Sequence, residues 1–145
     1  MYDERMIAPM RQELTRLGIE ELRTADDVDA KLKDSKGTTL VVVNSVCGCS
    51  ARNARPAVAM ALQGAAKPDQ LTTVFAGQDT AATAKARSYF TGYAPSSPSI
   101  ALLKDGRLVY MLERHQIESR SADAIAKDLE GAFEKYCGEG AAAGR

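Results

Sequence analysis

Seven consecutive residues, Thr38-Thr39-Leu40-Val41-Val42-Val43-Asn44, carry no charge and are mostly β-branched. A run of this kind suits a strand whose two faces are both covered, since alternate side chains point to opposite sides. It predicts a central strand with a helical layer on each side rather than a sheet with one wet face. A chain of 145 residues is long enough for one such domain and its core. With 45% hydrophobic and 26% charged residues, global disorder is not expected.

Around that strand the chain shows no repeat and no internal linker. Met10, Leu14 and Leu17 share a helical face, predicting a helix over Ala8–Leu17 that stops at Gly18. Ile19–Leu22 reads as a short edge strand. Thr24 caps a helix to about Lys33, with Asp26 and Asp27 in its favourable first turn. Beyond the central strand, Ala54, Val58, Ala61, Leu62 and Ala65 recur at helical spacing, and Pro56 predicts a kink there. Leu71–Ala76 reads as a strand, and Asp79 to about Phe90 as a helix with Asp79 as its cap. Ser99–Leu103 and Arg107–Leu112 flank Asp105-Gly106, a strong hairpin signal. Ser121 caps a last helix whose core face would be Ile125, Leu129, Ala132 and Tyr136. Strands alternating with helices, closed by a hairpin, predict a three-layer α/β/α sandwich with a mixed central sheet. Residues 1–137 form that domain, and 138–145 read as a flexible Gly/Ala tail.

Nineteen basic residues balance nineteen acidic ones without segregation into blocks, so neither nucleic acid nor an anionic membrane is expected as a partner. Met1-Tyr2-Asp3-Glu4-Arg5 puts charge where a signal peptide needs apolar residues. The expected location is the cytoplasm, where thiols stay reduced and a close cysteine pair is more often catalytic or metal-binding than structural.

Such a pair follows the central strand directly, as Cys47-Gly48-Cys49. Sites in open α/β sheets form at the carboxyl ends of strands. At this strand-to-helix junction, unpaired N–H groups and the helix dipole favour the Cys47 thiolate over the thiol, whose free pKa is about 8.5. Arg52 and Arg55 are close enough in sequence to add positive potential. Residues two apart on a regular helix point about 200° from one another. A Cys47–Cys49 bridge therefore needs Cys47 outside the helix, and Gly48 is the residue best able to take up the bend. Two other readings stand beside this one: buried packing cysteines, or thiolate metal ligands completed by His115 and Cys137. Structural zinc normally uses cysteines two to four residues apart plus a second ligand pair, which this chain does not show. His115, between Arg114 and Glu118, reads as a solvated loop residue, and Cys137 as a packed residue at a helix end.

The segment Thr38–Cys49 resembles the active-site region of the bacilliredoxins, thioredoxin-like proteins of bacteria that use bacillithiol. The likeness continues through Ala54-Arg55-Pro56-Ala57, Thr73–Asp79, Tyr89-Phe90-Thr91-Gly92 and Ser96-Ser97-Pro98-Ser99, and reaches Cys137. The resemblance implies a thioredoxin-like fold and a thiol–disulfide oxidoreductase that removes bacillithiol from protein mixed disulfides. Cys47 would accept the bacillithiol and Cys49 resolve the product, with Gly48, Ser97 and Pro98 at the substrate. Bacillithiol would be a co-substrate, with no bound cofactor and no metal. Partners would be bacillithiolated or disulfide-bearing proteins and a low-molecular-weight thiol. The resemblance further implies a cis bond at Ser97–Pro98, facing the active cysteine. The one-residue spacer departs from the Cys-x-x-Cys of thioredoxin and argues against a general disulfide reductase. The rivals are a protein disulfide isomerase or oxidant using the same cysteines, and a thiol-based metal-binding protein.

A ring closed over a single residue should be tighter than one closed over two, and strain makes a disulfide more reducible. The Cys47–Cys49 couple is therefore expected to be more oxidising than the roughly −270 mV of thioredoxin. Equilibration against glutathione buffers, read by alkylation and mass, checks this. A potential as low as thioredoxin's would overturn the strain argument.

Overall fold

The computed structural model describes residues 1–137; the expected tail, 138–145, lies outside the described residues. The elements in order are α1 (Glu4–Thr15), β1 (Glu20–Glu21), α2 (Ala25–Leu32), β2 (Thr38–Asn44), a π-helical turn (Ser50–Ala54) leading into α3 (Arg55–Ala61), β3 (Gln70–Phe75), α4 (Thr80–Arg87), the hairpin β4 (Ser99–Lys104) and β5 (Arg107–Leu112), α5 (Arg114–Glu118) and α6 (Ala122–Tyr136). The five strands form one mixed sheet of order β1-β3-β2-β4-β5. β2 lies in the middle, parallel to β3 and antiparallel to β4.

Every residue of β2 is buried, and the pleat explains why the run is apolar throughout. Leu40 and Val42 join Leu14, Ala57, Val58, Leu129 and Phe133 in the layer of α1, α3 and α6. Val41 and Val43 join Val28, Leu32, Ala82 and Ala86 in the layer of α2 and α4. At about 1.5–3 kcal/mol for each fully buried aliphatic side chain, these four β2 residues are a large part of what joins the layers. The hairpin turn uses left-handed backbone at both Asp105 (φ 52°) and Gly106 (φ 80°), the two-residue geometry that Asp-Gly favours. Thr24 caps α2 through a full capping box with Asp27.

Local expectations at α1, Tyr136 and His115 are corrected, and the winding around Pro56 is seen in detail. α1 begins at Glu4 rather than Ala8, because Asp3 accepts a hydrogen bond from the Arg5 N–H, and Pro9 is carried inside it. At Pro56 the winding widens: the Arg55 N–H reaches back to the Ser50 carbonyl, and the π turn gives room where a proline ring crowds an α-helix. On α6 the buried place foreseen for Tyr136 belongs to Phe133, and Tyr136 packs only at the rim. The stretch with His115 is a helical turn, not a loop.

Asp79 sits at the start of α4 but makes no cap hydrogen bond with its side chain. Its carboxylate is engaged by Arg11, whose guanidinium, 7% exposed, also binds Glu4 and Glu21 and lies 5.2 Å from the Phe75 ring centroid. This cluster ties α1 to β1 and to the start of α4. Removing the guanidinium would leave Glu21 without its cation and Asp79 with only the longer, half-exposed contact to Arg23 at 3.9 Å. Arg11→Ala is therefore expected to lower stability by about 3 kcal/mol. A urea unfolding curve should show a lower midpoint at unchanged slope; a loss below about 1 kcal/mol would mean the cluster is only a surface pairing.

Candidate active site

β2 ends at Asn44, and the chain turns into helical winding at Gly48. The Asn44 Nδ2 donates to the Met10 carbonyl of α1 at 3.1 Å. Its Oδ1 accepts from the Ser45 N–H and from Arg55, both at 2.9 Å. Arg55, 4% exposed, also donates to the Ser45 carbonyl at 3.0 Å and to Glu13 at 2.9 Å. Ser45 and Ser50 share a buried hydroxyl hydrogen bond of 2.8 Å, and the Cys47 N–H lies 3.3 Å from Ser45 Oγ. The loop before the cysteines is thus held from both sides.

Cys47 occupies the N-cap position. Its carbonyl accepts from the Ser50 and Ala51 N–H groups, and its Sγ accepts from the Cys49 N–H at 3.3 Å. That is the place where a Ser or Thr hydroxyl oxygen caps a helix. Cys49 lies inside the winding, with its sulfur 3.1 Å from that of Cys47, and both thiols are unbridged. The expected exit of Cys47 from the helix is therefore present. Gly48 is the first residue of the helical winding, and its φ lies outside the left-handed region. A Cβ there would fall 2.8 Å from Arg52 Nη1, the far end of an exposed and flexible side chain that can move aside, so space does not require glycine.

The cation whose charge acts on both thiols is Arg114, on α5, whereas Arg55 is engaged by Asn44, Ser45 and Glu13. The Arg114 Nε donates to Glu118 at 3.0 Å and its Nη1 to the Ser97 carbonyl at 3.2 Å. Glu118 in turn lies 3.9 Å from the Cys49 sulfur. The two thiols separate accordingly. Burial pushes Cys47 up, but the Cys49 thiol and N–H, the Arg114 charge and the Ser50 N–H together hold it below its ordinary value. The hydrogen bond given to Cys47, then burial and the negative charges of Cys47 and Glu118, push Cys49 above its ordinary value.

The Ser97–Pro98 bond is cis, and Pro98 is buried. Ser97 and Cys47 line one cavity of about 360 Å³, together with Ser45, Gly77, Arg114 and Tyr2. Arg87 donates to the Ser96 carbonyl at 3.2 Å, so neighbouring carbonyls before the proline are each held by a guanidinium. His115 does not join the site; its exposed ring faces Glu113. Cys137 lies by Thr38, Asp69 and Lys104, at the opposite end of β2 from Cys47, and burial raises its pKa. Seven strand residues span about 20 Å, so Cys137 and the pair are out of mutual reach. Among the described residues no group of three His, Cys, Asp or Glu side chains could hold a metal ion. Arg114, Glu118, Ser45 and Ser50 were not foreseen as site residues. Only the four-residue spacing of Arg114 and Glu118 hints at a pair, and nothing in it indicates what the pair faces.

A family model described as disulphide isomerase matches residues 2–137. The chain is 57% identical over 143 residues to a bacilliredoxin of Koribacter versatilis, covering 99% of each protein. It is 56% identical over 140 residues to a bacilliredoxin of Salinibacter ruber, covering 95% of this chain and 82% of that one. The thioredoxin of Fasciola hepatica superposes with a TM-score of 0.56 at 20% identity, over 81% of this chain and 99% of that one, which establishes a thioredoxin-like α/β/α fold.

The split between the thiols is open to measurement. In Cys49→Ser, Cys137→Ser protein the serine hydroxyl still donates to Cys47, so its alkylation rate should fall tenfold per pH unit only below an inflection lying under about 8.5. Adding Arg114→Gln should raise that inflection. An inflection at or above the free value would remove the cap argument.

Proposed function

The chain belongs to the bacilliredoxin family, and from that premise we propose that Cys47 is its attacking thiol and Cys49 the resolving one. The activity is thiol–disulfide exchange on proteins carrying bacillithiol as a mixed disulfide. The Cys47 thiolate attacks the bacillithiol sulfur; the Cys47–bacillithiol bond forms, the old disulfide breaks, and the target thiolate leaves and takes up a proton. Cys49, giving up its proton, then attacks the Cys47 sulfur and expels bacillithiol thiolate, leaving a Cys47–Cys49 disulfide. A thiol reductant must return two electrons to complete the cycle. The observation that carries this assignment is the cap: Cys47 Sγ accepts the Cys49 N–H, so the first sulfur meets the donors that favour a thiolate. Thiolate character, not the thiol, sets nucleophilicity.

Ser97, Gly48 and Pro98 would contact the substrate, Ser97 across the cavity it shares with Cys47, Gly48 as the bare backbone between the two cysteines, and Pro98 through the cis bond that follows Ser97. We place the reaction in the cytoplasm, where reduced thiols are maintained; among the described residues no helix is long and apolar enough to cross a membrane. The description of the family model favours a second reading, rearrangement of protein disulfides by the same cysteines. Mass spectrometry after mixing with a bacillithiolated protein separates the two. Cys49→Ser should retain bacillithiol on Cys47 and release the target thiol, whereas Cys47→Ser should do neither. Protein-to-protein mixed disulfides without a bacillithiol adduct would favour the isomerase.

A further inference from the structure

A mixed disulfide presents two different halves to Cys47, one a protein and the other a small thiol. The cavity beside Cys47, about 360 Å³, has the size of a small-ligand site rather than of a peptide groove. Its walls are Tyr2, Ser97 and small or polar residues, and Arg114 is the one charged side chain lining it among the described residues. Arg114 is positioned rather than loose, with Nε on Glu118 and Nη1 on the Ser97 carbonyl. Its Nη2 makes no hydrogen bond within the described residues, so the guanidinium keeps N–H groups for a further acceptor. A carboxylate is the group that such a planar fork matches.

Resting on the functional reading above, we propose that Arg114 is a specificity residue that selects mixed disulfides whose small-thiol half carries a carboxylate. Glu118 shapes this preference from both sides. It holds Arg114 in place, and its own charge, beside Cys49, repels an anion that settles at the second thiol instead of the first. The carboxylate-bearing half is thereby drawn to the Cys47 side of the pair, leaving the protein half as the group that departs.

Three small disulfides test this: dithiodipropionate (anionic), 2-hydroxyethyl disulfide (neutral) and cystamine (cationic). Each is reacted with the Cys49→Ser, Cys137→Ser protein, and formation of the Cys47 adduct is timed by mass. Rates are divided by those of the same disulfides with free 2-mercaptoethanol, which removes their intrinsic reactivities. The anionic disulfide should then be preferred over the cationic one, and Arg114→Gln should reduce that preference about tenfold, as expected for a charge-assisted hydrogen bond at a half-exposed site. Arg114→Lys should restore part of it. Arg120→Gln, the same change of charge away from the cavity, should leave it within about twofold. A loss of thiolate alone would slow all three disulfides together and leave the ratio unchanged; that result overturns the proposal while sparing the role of Cys47. If no disulfide forms an adduct on Cys47, the functional reading itself fails.

Discussion

The buried guanidinium of Arg55 clasps the end of β2 to α1, and the placement of both sulfurs follows from it. A charge this far from water is costly unless its donors are met. Here they are met by the Asn44 side chain, the Ser45 carbonyl and Glu13. Asn44 passes the restraint on, since it also binds the Met10 carbonyl and the Ser45 N–H. Because β2 is gripped on both faces by apolar layers, its last residue cannot drift, and the short Ser45–Val46 connection delivers Cys47 to the first free N–H groups of the following helix.

From that starting point the inequality of the two cysteines is a matter of position rather than of chemistry. They are the same residue two places apart, yet one caps a helix and the other lies within it. Helix α5 deepens the difference by presenting a cation and an anion four residues apart to the two sulfurs. The same arginine fastens the backbone before the cis proline, so the charge near the thiols and the loop opposite them are one unit rather than two neighbours.

How much of this could be read beforehand depended on the range of the forces involved. β2, the Asp105-Gly106 hairpin and the Thr24 cap are local, and their residue types carry their conformation with them. The Cys47-Gly48-Cys49 pair was legible for the same reason: a thiol directly after a buried strand has few places to be. Arg11 and Asp79 are 68 residues apart, and no pattern along the chain announces that one will take the other away from its capping role. Helix α5 buries only Ile117, too little to leave a period. Arg55 was misjudged because an arginine near a thiol suggests potential, whereas this one spends its donors on architecture.

Tyr2 has a consequence of a practical kind. Its backbone N–H and carbonyl are both held by the Gln78 side chain, and its ring lies against Gly77, where even a methyl group would come within 3.3 Å. With φ at 84°, Gly77 is also a position that tolerates no side chain without strain. The beginning of the chain is consequently a wall of the reaction chamber. Affinity tags and fusion partners placed before Met1 would grow out of its rim, where they can shade the thiols or shift the strap that Tyr2 forms. A dye attached at Cys137 sits a strand's length away from them and leaves that rim clear.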